Sequence, residues 1–455
     1  MSYGDVVDSL LDFDPTVSDI DANIGRPGFL GITAPNGFRP NTVINDSRQR
    51  WLFRMVHSPA PLQERMALLW HQHFATAYSK LAGTLNAADG ARMMAAKPSE
   101  DPSKVRGQIE LFREKGLGSF SDLLVEVAKD PAMVVWLDGR TNFKGQPQEN
   151  FGRELMELFT FGVENYVESD VYAAARVFTG WNLTLLNRNT PTAYYAFLYN
   201  QAQHDVAAKT FSFPVYADGG KTIPARAAAA GMQDGIDLIA ALARHPETAR
   251  RLARRFWTWF VSEVEAPPAA WVEQMAGVYL ASGTEIRPVL RELFKSAEFR
   301  DSRHHYQRYS WPVEFVVRAL KEEGHVGFSA NDALTPMLNM GQQLFEPPDV
   351  NGWALGPAWF STGGMLARMN FASVLAANQR FELRNSARPY NETPETLIDF
   401  SINRLSLPDV PAPVYSALVD YVRAGGTWTG SETQLLNKAG GVFHLLTGSG
   451  EYQFV

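Results

Sequence analysis

The stretch "QPQENFGRELMELFTFG", residues 146–162, sets Glu149, Asn150, Arg153, Glu154 and Glu157 beside a row of Leu, Met and Phe. Wound as a helix over 148–161, residues three and four apart share a face. Asn150, Glu154 and Glu157 then form one stripe, with Phe151, Leu155, Leu158 and Phe159 as the apolar stripe beside it. Carboxylates on a partly desolvated face separate in pKa, which is what general acid–base catalysis requires. Arg153 reaches Glu149 and Glu157 at four-residue spacing and would orient them. The same pattern also suits a plain surface helix held by Arg–Glu pairs worth only about 0.3–0.5 kcal/mol each. Desolvation separates the two readings. The Ala-rich segment "SDVYAAARVFTGW" that follows implies the tight packing that would supply it.

Three other stretches carry reactive side chains. "WHQHF" supplies His71 and His73. On a helix they lie about 200° apart, so they would share a metal only if the helix ended there. One imidazole beside a carboxylate is the simpler chemistry, because imidazole titrates near neutrality. "QHDVAAKTF" places His204 and Asp205 at a loop, as a proton-transfer pair, as a ligand set or as an ordinary turn. "FEPPDVNGW" carries Glu346, Asp349, Asn351 and Trp353 on a stiff Pro-Pro frame. There Asp349 could act as an acid or base, Asn351 as a substrate contact and Trp353 as a stacking face, or the polar pair could simply cap a turn.

The elements that must position these groups are mostly helical. "LQERMALLWHQHFATAYSKL" (62–81) has apolar residues at three- and four-residue intervals. The segment 120–138 reads as two helices broken before Pro131, and 232–263 as two more punctuated at His245-Pro246. Residues 268–299 give a further pair joined at Ser282-Gly283-Thr284, with Thr284 as the expected N-cap. By contrast, "TAYYAFLYN" and "KTFSFPVYADGGKTIP" are aromatic and β-branched, and predict a β-hairpin near 190–225 within an insertion spanning 182–225. Pro and Gly at 346–364 predict an ordered, irregular loop. The expected fold is mainly α: one large helical bundle or array over 1–455 with that inserted hairpin, and residues 391–455 as a candidate C-terminal helical lobe.

Composition narrows the function classes. The 455 residues are 45% hydrophobic and 20% charged, with a net charge of −7 and no basic run to track phosphates, which argues against nucleic acid. Without cysteine, thiolate metal sites and a cysteine nucleophile are excluded. No stretch approaches the ~18 apolar residues of a membrane-spanning helix. No P-loop, dinucleotide fingerprint, G-x-S-x-G or H-E-x-x-H is present, so no nucleotide cofactor is expected. Eleven Trp and 28 Phe suit a core but also surfaces that stack on sugar rings.

The motifs "ERMALLWHQHFAT", "QPQENFGRELMELFTFGVENY", "DVYAAARVFTGWN", "HDVAAKTF", "GQQLFEPPDVNGW" and "MLARMNFA", in this order from about residue 5 to the end, resemble a large bacterial family known as domain of unknown function 1800. The resemblance implies a mainly helical fold. It also implies frequent export and a neighbour-encoded, exported partner, but no activity. An "AGFG"-like N-terminal segment usual in the family is missing, so the chain is expected to be shortened. The family's "NEN" reads Gln148-Glu149-Asn150, its small residue is Gly152, and its "YTE" reads Tyr166-Val167-Glu168, leaving Ser169 as a substitute cap.

Together these readings predict one shared polar pocket in a bacterial envelope or extracellular hydrolase acting on a polysaccharide. Glu154 or Glu157 would work against Asp205 or Asp349, with His71 or His73 relaying protons. Glu149, Asn150, Arg153, His204, Asn351 and Trp353 would bind substrate. A second reading draws a divalent metal site from His71, His73, His204 and Glu154. A third is a non-catalytic assembly module for the exported partner. The expected location is periplasmic or extracellular if a leader is removed, and cytoplasmic if Met1 is the native start.

Overall fold

Proline, glycine and polar caps cut this chain into short helices. The computed structural model describes residues 1–13, 19–407 and 410–455. Among them are 22 α-helices, and the strands form two small antiparallel two-stranded sheets, so the fold is mainly α with β-hairpins. Pro131 opens Pro131–Trp136 directly behind Phe120–Lys129, and the Asp130 side chain accepts from Met133 N at 3.2 Å. Pro246 likewise opens Pro246–Phe260 behind Met232–Ala243.

Two expected details differ. The apolar rhythm of 62–81 is split into Pro61–His73 and Tyr78–Thr84. Between them the chain turns so that Tyr78 N donates to Phe345 O, 2.9 Å away, docking the loop that follows residue 344. Thr284 is not an N-cap. It sits at φ +75°, and Glu285 takes the cap position of Ile286–Lys295. Thr284 instead joins two helix starts, its carbonyl accepting from Phe120 N at 2.8 Å and its hydroxyl lying 3.0 Å from Ser119 Oγ.

The hairpin region holds two ladders rather than one. Strand β1 (Trp181–Leu186) pairs with β2 (Tyr194–Tyr199), with Trp181 opposite Tyr199 and Leu186 opposite Tyr194. Strands β3 (Lys209–Thr210) and β4 (Thr222–Ile223) form a separate two-residue ladder. "TAYYAFLYN" therefore pairs backwards onto "WNLTLL", across a turn in which Asn187 and Asn189 adopt positive φ.

Buried apolar side chains from Val7 to Tyr452 make one connected core. In the C-terminal region Glu432–Thr447 packs on Thr362–Asn378 and Arg380–Ala387. The chain end returns to pair Arg308 with Val455 through two backbone hydrogen bonds.

Candidate functional site: a wide helical turn beside an arginine-lined cavity

The glutamate stretch is a helix with an irregular second half. Asn150–Glu154 is α-helical, and Leu155–Phe159 continues as a π-turn. Gly152 permits close packing on the Ala-rich helix Glu168–Val177, since a Cβ there would lie 2.8 Å from Ala174 Cβ. The expected cap Ser169 is not used, because Asp170 accepts from Val167 N at 2.9 Å. Wide turns recur at functional sites because they re-aim side chains and free carbonyls. Here Thr160 Oγ1 donates to Leu155 O at 2.6 Å, and Gly162 N to Met156 O at 2.9 Å.

The remaining carbonyls are capped from two other helices. The Arg251 guanidinium, on Pro246–Phe260, donates to Glu157 O and, at 3.1 Å, to Thr160 O. His73 Nε2, at the end of Pro61–His73, lies 3.0 Å from Phe159 O and donates to it. A cation and an N–H donor at a helix C-terminus meet its partial negative charge. His73 is buried and its Nδ1 has no partner among the described residues. Burial, with Arg255 and Arg251 close by, holds its pKa well below the usual imidazole value, so the ring is neutral.

Glu154 and Glu157 flank the entry to this turn, both partly buried. Glu157 Oε2 accepts from Tyr166 Oη at 2.6 Å. Glu154 has no hydrogen bond or ion pair among the described residues, and burial plus the Glu157 charge raise its pKa to about 7. The Arg153 side chain points elsewhere, to Glu149 at 3.2 Å and Glu168 at 2.5 Å, as a surface ion pair. Asn150, at the helix start, donates to Asp138 Oδ2 at 2.9 Å. Asp138 lines a polar groove of about 500 Å³ shared with Arg140, Asn182, Thr184, Arg188 and Tyr195.

At the other end of the helix lies a cavity of about 210 Å³. Arg251, Arg254, Arg255, Gln72, Thr258 and Leu355 are among its lining residues. Burial and the Arg251 charge lower the Arg255 pKa to about 10. Gln72 clamps the Pro/Gly loop over this region: its Nε2 donates to Trp353 O at 2.9 Å, and its Oε1 accepts from Trp353 N at 2.8 Å.

A family profile described as "Protein of unknown function (DUF1800)" matches residues 37–454. The chain belongs to the DUF1800 family. No curated protein and no solved structure matches it.

In this DUF1800 chain the four polar motifs do not share one pocket. The "WHQHF", "LFTFG" and "NGW" segments meet around the arginine cavity, through His73, Gln72, Arg251 and Trp353. Trp353 offers no stacking face, being 3% exposed and packed with its ring 5.3 Å from that of His71. His71 is enclosed by Trp51, Phe345 and Trp353, its Nε2 has no partner among the described residues, and burial pushes its pKa down to about 3. Asp349 and Asn351 are exposed and close a turn, with Asp349 Oδ1 accepting from Asn351 N at 2.7 Å. Glu346 accepts from Ser79 N at 3.2 Å.

The "QHDVAAKTF" motif of the DUF1800 chain forms a structural cluster. Arg176 holds Asp205 through two bonds, 2.7 and 3.2 Å, which keeps that carboxyl below its usual range despite partial burial. Buried His204 lies between Thr179 O at 2.9 Å and Asp234 Oδ2 at 3.3 Å. Asp234 also binds Lys209 and Arg226, each at 2.6 Å. Among the described residues no three His, Asp or Glu side chains are grouped to hold a metal ion. His71, His73, His204 and Glu154 therefore do not form the metal set considered from the sequence. The residues missed there are Arg251, Arg254 and Arg255, although "RRLARRF" repeats arginine at the three- and four-residue spacing of one helix face.

Proposed function

We propose that this DUF1800 protein is a glycan-acting hydrolase of the bacterial envelope or exterior, with Glu154 as proton donor and Glu157 as its ionised partner. One observation carries this reading: a carboxyl without a partner among the described residues, held at about pKa 7, stands three residues from a second carboxyl group to which Tyr166 donates a hydrogen bond. Two carboxyl groups, one of them able to donate a proton, are the minimum equipment for glycosidic hydrolysis. As the C–O bond breaks, Glu154 gives its proton to the departing oxygen while the Glu157 carboxylate faces the positive charge growing on the anomeric carbon; a water then bonds to that carbon and returns its proton to Glu154. The groove that Asp138 shares with Asn182, Thr184 and Tyr195 supplies donors and acceptors suited to sugar hydroxyls. Asp205 and Asp349 have no part in this chemistry, because each is committed to its own local bonds. The envelope or exterior setting rests on the family resemblance.

A glycan screen followed by Glu154→Gln tests the reading. Loss of turnover by about 100-fold or more is expected, the usual contribution of a general acid. Full activity of E154Q on the glycan found would end this assignment.

A second reading, an assembly module for a neighbour-encoded exported protein, is favoured by exposed apolar side chains. Leu366, Met369 and Val374 on Thr362–Asn378, with Phe381 on Arg380–Ala387, face solvent. Co-purification with that neighbour, abolished by Leu366→Glu with Val374→Glu, would support it. Partner binding unaffected by the double substitution would remove it.

A further inference from the structure

Buried or partly buried arginines in this protein generally have carboxylate partners. Arg54 binds Asp21 and Glu110, Arg92 binds Asp101, and Arg113 binds Glu64 and Glu110. The cavity at the C-terminal end of the glutamate helix breaks this pattern. Arg255 is partly buried and has no hydrogen bond or ion pair among the described residues. Among the described residues Arg251 hydrogen-bonds the backbone carbonyls of Glu157 and Thr160 and makes no ion pair, with only the more distant Glu157 charge acting on it. No Asp or Glu is among the residues lining the cavity. A guanidinium left without a counter-charge in a recess costs free energy unless something completes it.

We infer that the cavity formed by Arg251, Arg254 and Arg255 is a binding site for an oxyanion substituent of the ligand: a sulfate, phosphate or carboxylate group. The fixed fork of an arginine matches such groups with two parallel N–H donors, and a second and third arginine around the same space select for negative charge. The volume of about 210 Å³ accommodates such a group with its first waters. Trp259 lines the same space with an indole N–H that has no partner among the described residues. Resting on the hydrolase reading, this narrows its substrate to an anionic glycan, whose charged substituent is seated beyond the Glu157 end of the helix.

Isothermal titration of the full chain with inorganic sulfate, inorganic phosphate and glucuronate at low ionic strength tests the site directly. Saturable binding of at least one of them is expected, and the tightest names the substituent. Arg255→Gln should weaken it by about tenfold or more, as expected for a charge-assisted hydrogen bond. Arg303→Gln serves as the control, because Arg303 is exposed and paired to Asp301 elsewhere on the surface, and it should leave binding unchanged. Arg255→Lys keeps the charge but not the fork and should fall between wild type and R255Q. No saturable binding, equal binding by wild type and R255Q, or an equal loss in R303Q overturns the inference. E154Q separates it from the hydrolase reading. Anion binding retained in an inactive E154Q supports both. Anion binding absent while E154Q still abolishes turnover sinks only the arginine site. Anion binding present with E154Q fully active sinks only the hydrolase.

Discussion

His73 donates its Nε2–H to the carbonyl oxygen of Phe159, 3.0 Å away and 86 residues later in the chain. That bond ties the helix of the WHQHF motif to the wide turn of the glutamate helix. The ring is buried, and burial with Arg255 and Arg251 nearby holds its pKa well below the usual imidazole value.

His73→Ala should therefore act on stability first. It leaves a buried carbonyl without a donor and opens a void among Trp70, Phe74 and Phe159. A loss of about 2–4 kcal/mol in urea unfolding is expected. In the wild type, the His73 ring should show no titration in NMR spectra between pH 5 and 8. A midpoint near 6.5 would contradict the assigned cap.

For Glu154 the pH dependence has a definite sign. The carboxyl is raised to about 7, so in the proposed role of acid turnover should fall as pH rises through about 7. Glu157→Gln removes the neighbouring charge that raises it, so the Glu154 titration seen by NMR should shift to lower pH. An unchanged midpoint in E157Q would show that the two carboxyls are not coupled.

Asp205→Asn should cost stability and spare turnover, the reverse of what its place beside His204 suggests. The Arg176 pair is partly exposed, so a modest loss of about 1 kcal/mol is expected from denaturant midpoints. Turnover abolished in a well-folded D205N would return Asp205 to the site.

Gly352 stands at φ +85°, and a Cβ there would lie 2.6 Å from Gln72 Oε1. Gly352→Ala should therefore break the clamp on Trp353 and cost about 2 kcal/mol or more. Gln72→Ala should reproduce much of that loss, and the double variant should be less than additive in a thermodynamic cycle. Full additivity would mean that the two residues act separately.

Glu323 offers a test of buried charge away from the site. Its Oε1 accepts from Thr447 at 2.6 Å, its Oε2 has no partner among the described residues, and burial raises its pKa to about 8. The folded chain keeps this proton up to about pH 8, whereas the unfolded chain releases it near 4.3. Unfolding between those values releases a proton, so the Glu323 contribution to stability declines as pH rises from about 4.3 to about 8 and then levels off. Glu323→Gln should melt higher than wild type at pH 9 and gain progressively less toward pH 5. Parallel melting curves across that range would refute the assignment.

Much of the helical architecture was legible because proline and capping residues mark helix starts locally. Pro131 and Pro246 did so at the positions expected. The wide turn at Leu155–Phe159 was hidden because its Leu, Met and Phe fit an ordinary helical rhythm. Thr160 and Gly162 satisfy two of the freed carbonyls locally, and the distant donors Arg251 and His73 satisfy others. Asp205 looked available because Arg176 lies 29 residues away in sequence. His71 looked reactive because the rings enclosing it come from Trp51, Phe345 and Trp353. Arginine spacing in "RRLARRF" was readable, but whether those charges meet carboxylates or empty space is settled only by packing.

The extra residue in that turn has a consequence for helical phase. Each residue of an α-helix advances about 100°, so the half of the segment after Glu154 is rotated against the half before it. Arg153 can then serve the surface while Glu157 turns toward Tyr166, although the two stand four residues apart. Removing a single residue between Leu155 and Phe159 would bring the halves back into phase and carry Glu157 around toward Arg153. The segment would gain regularity as a helix and lose its separation of the surface-tied Arg153 side from the side that carries Glu157.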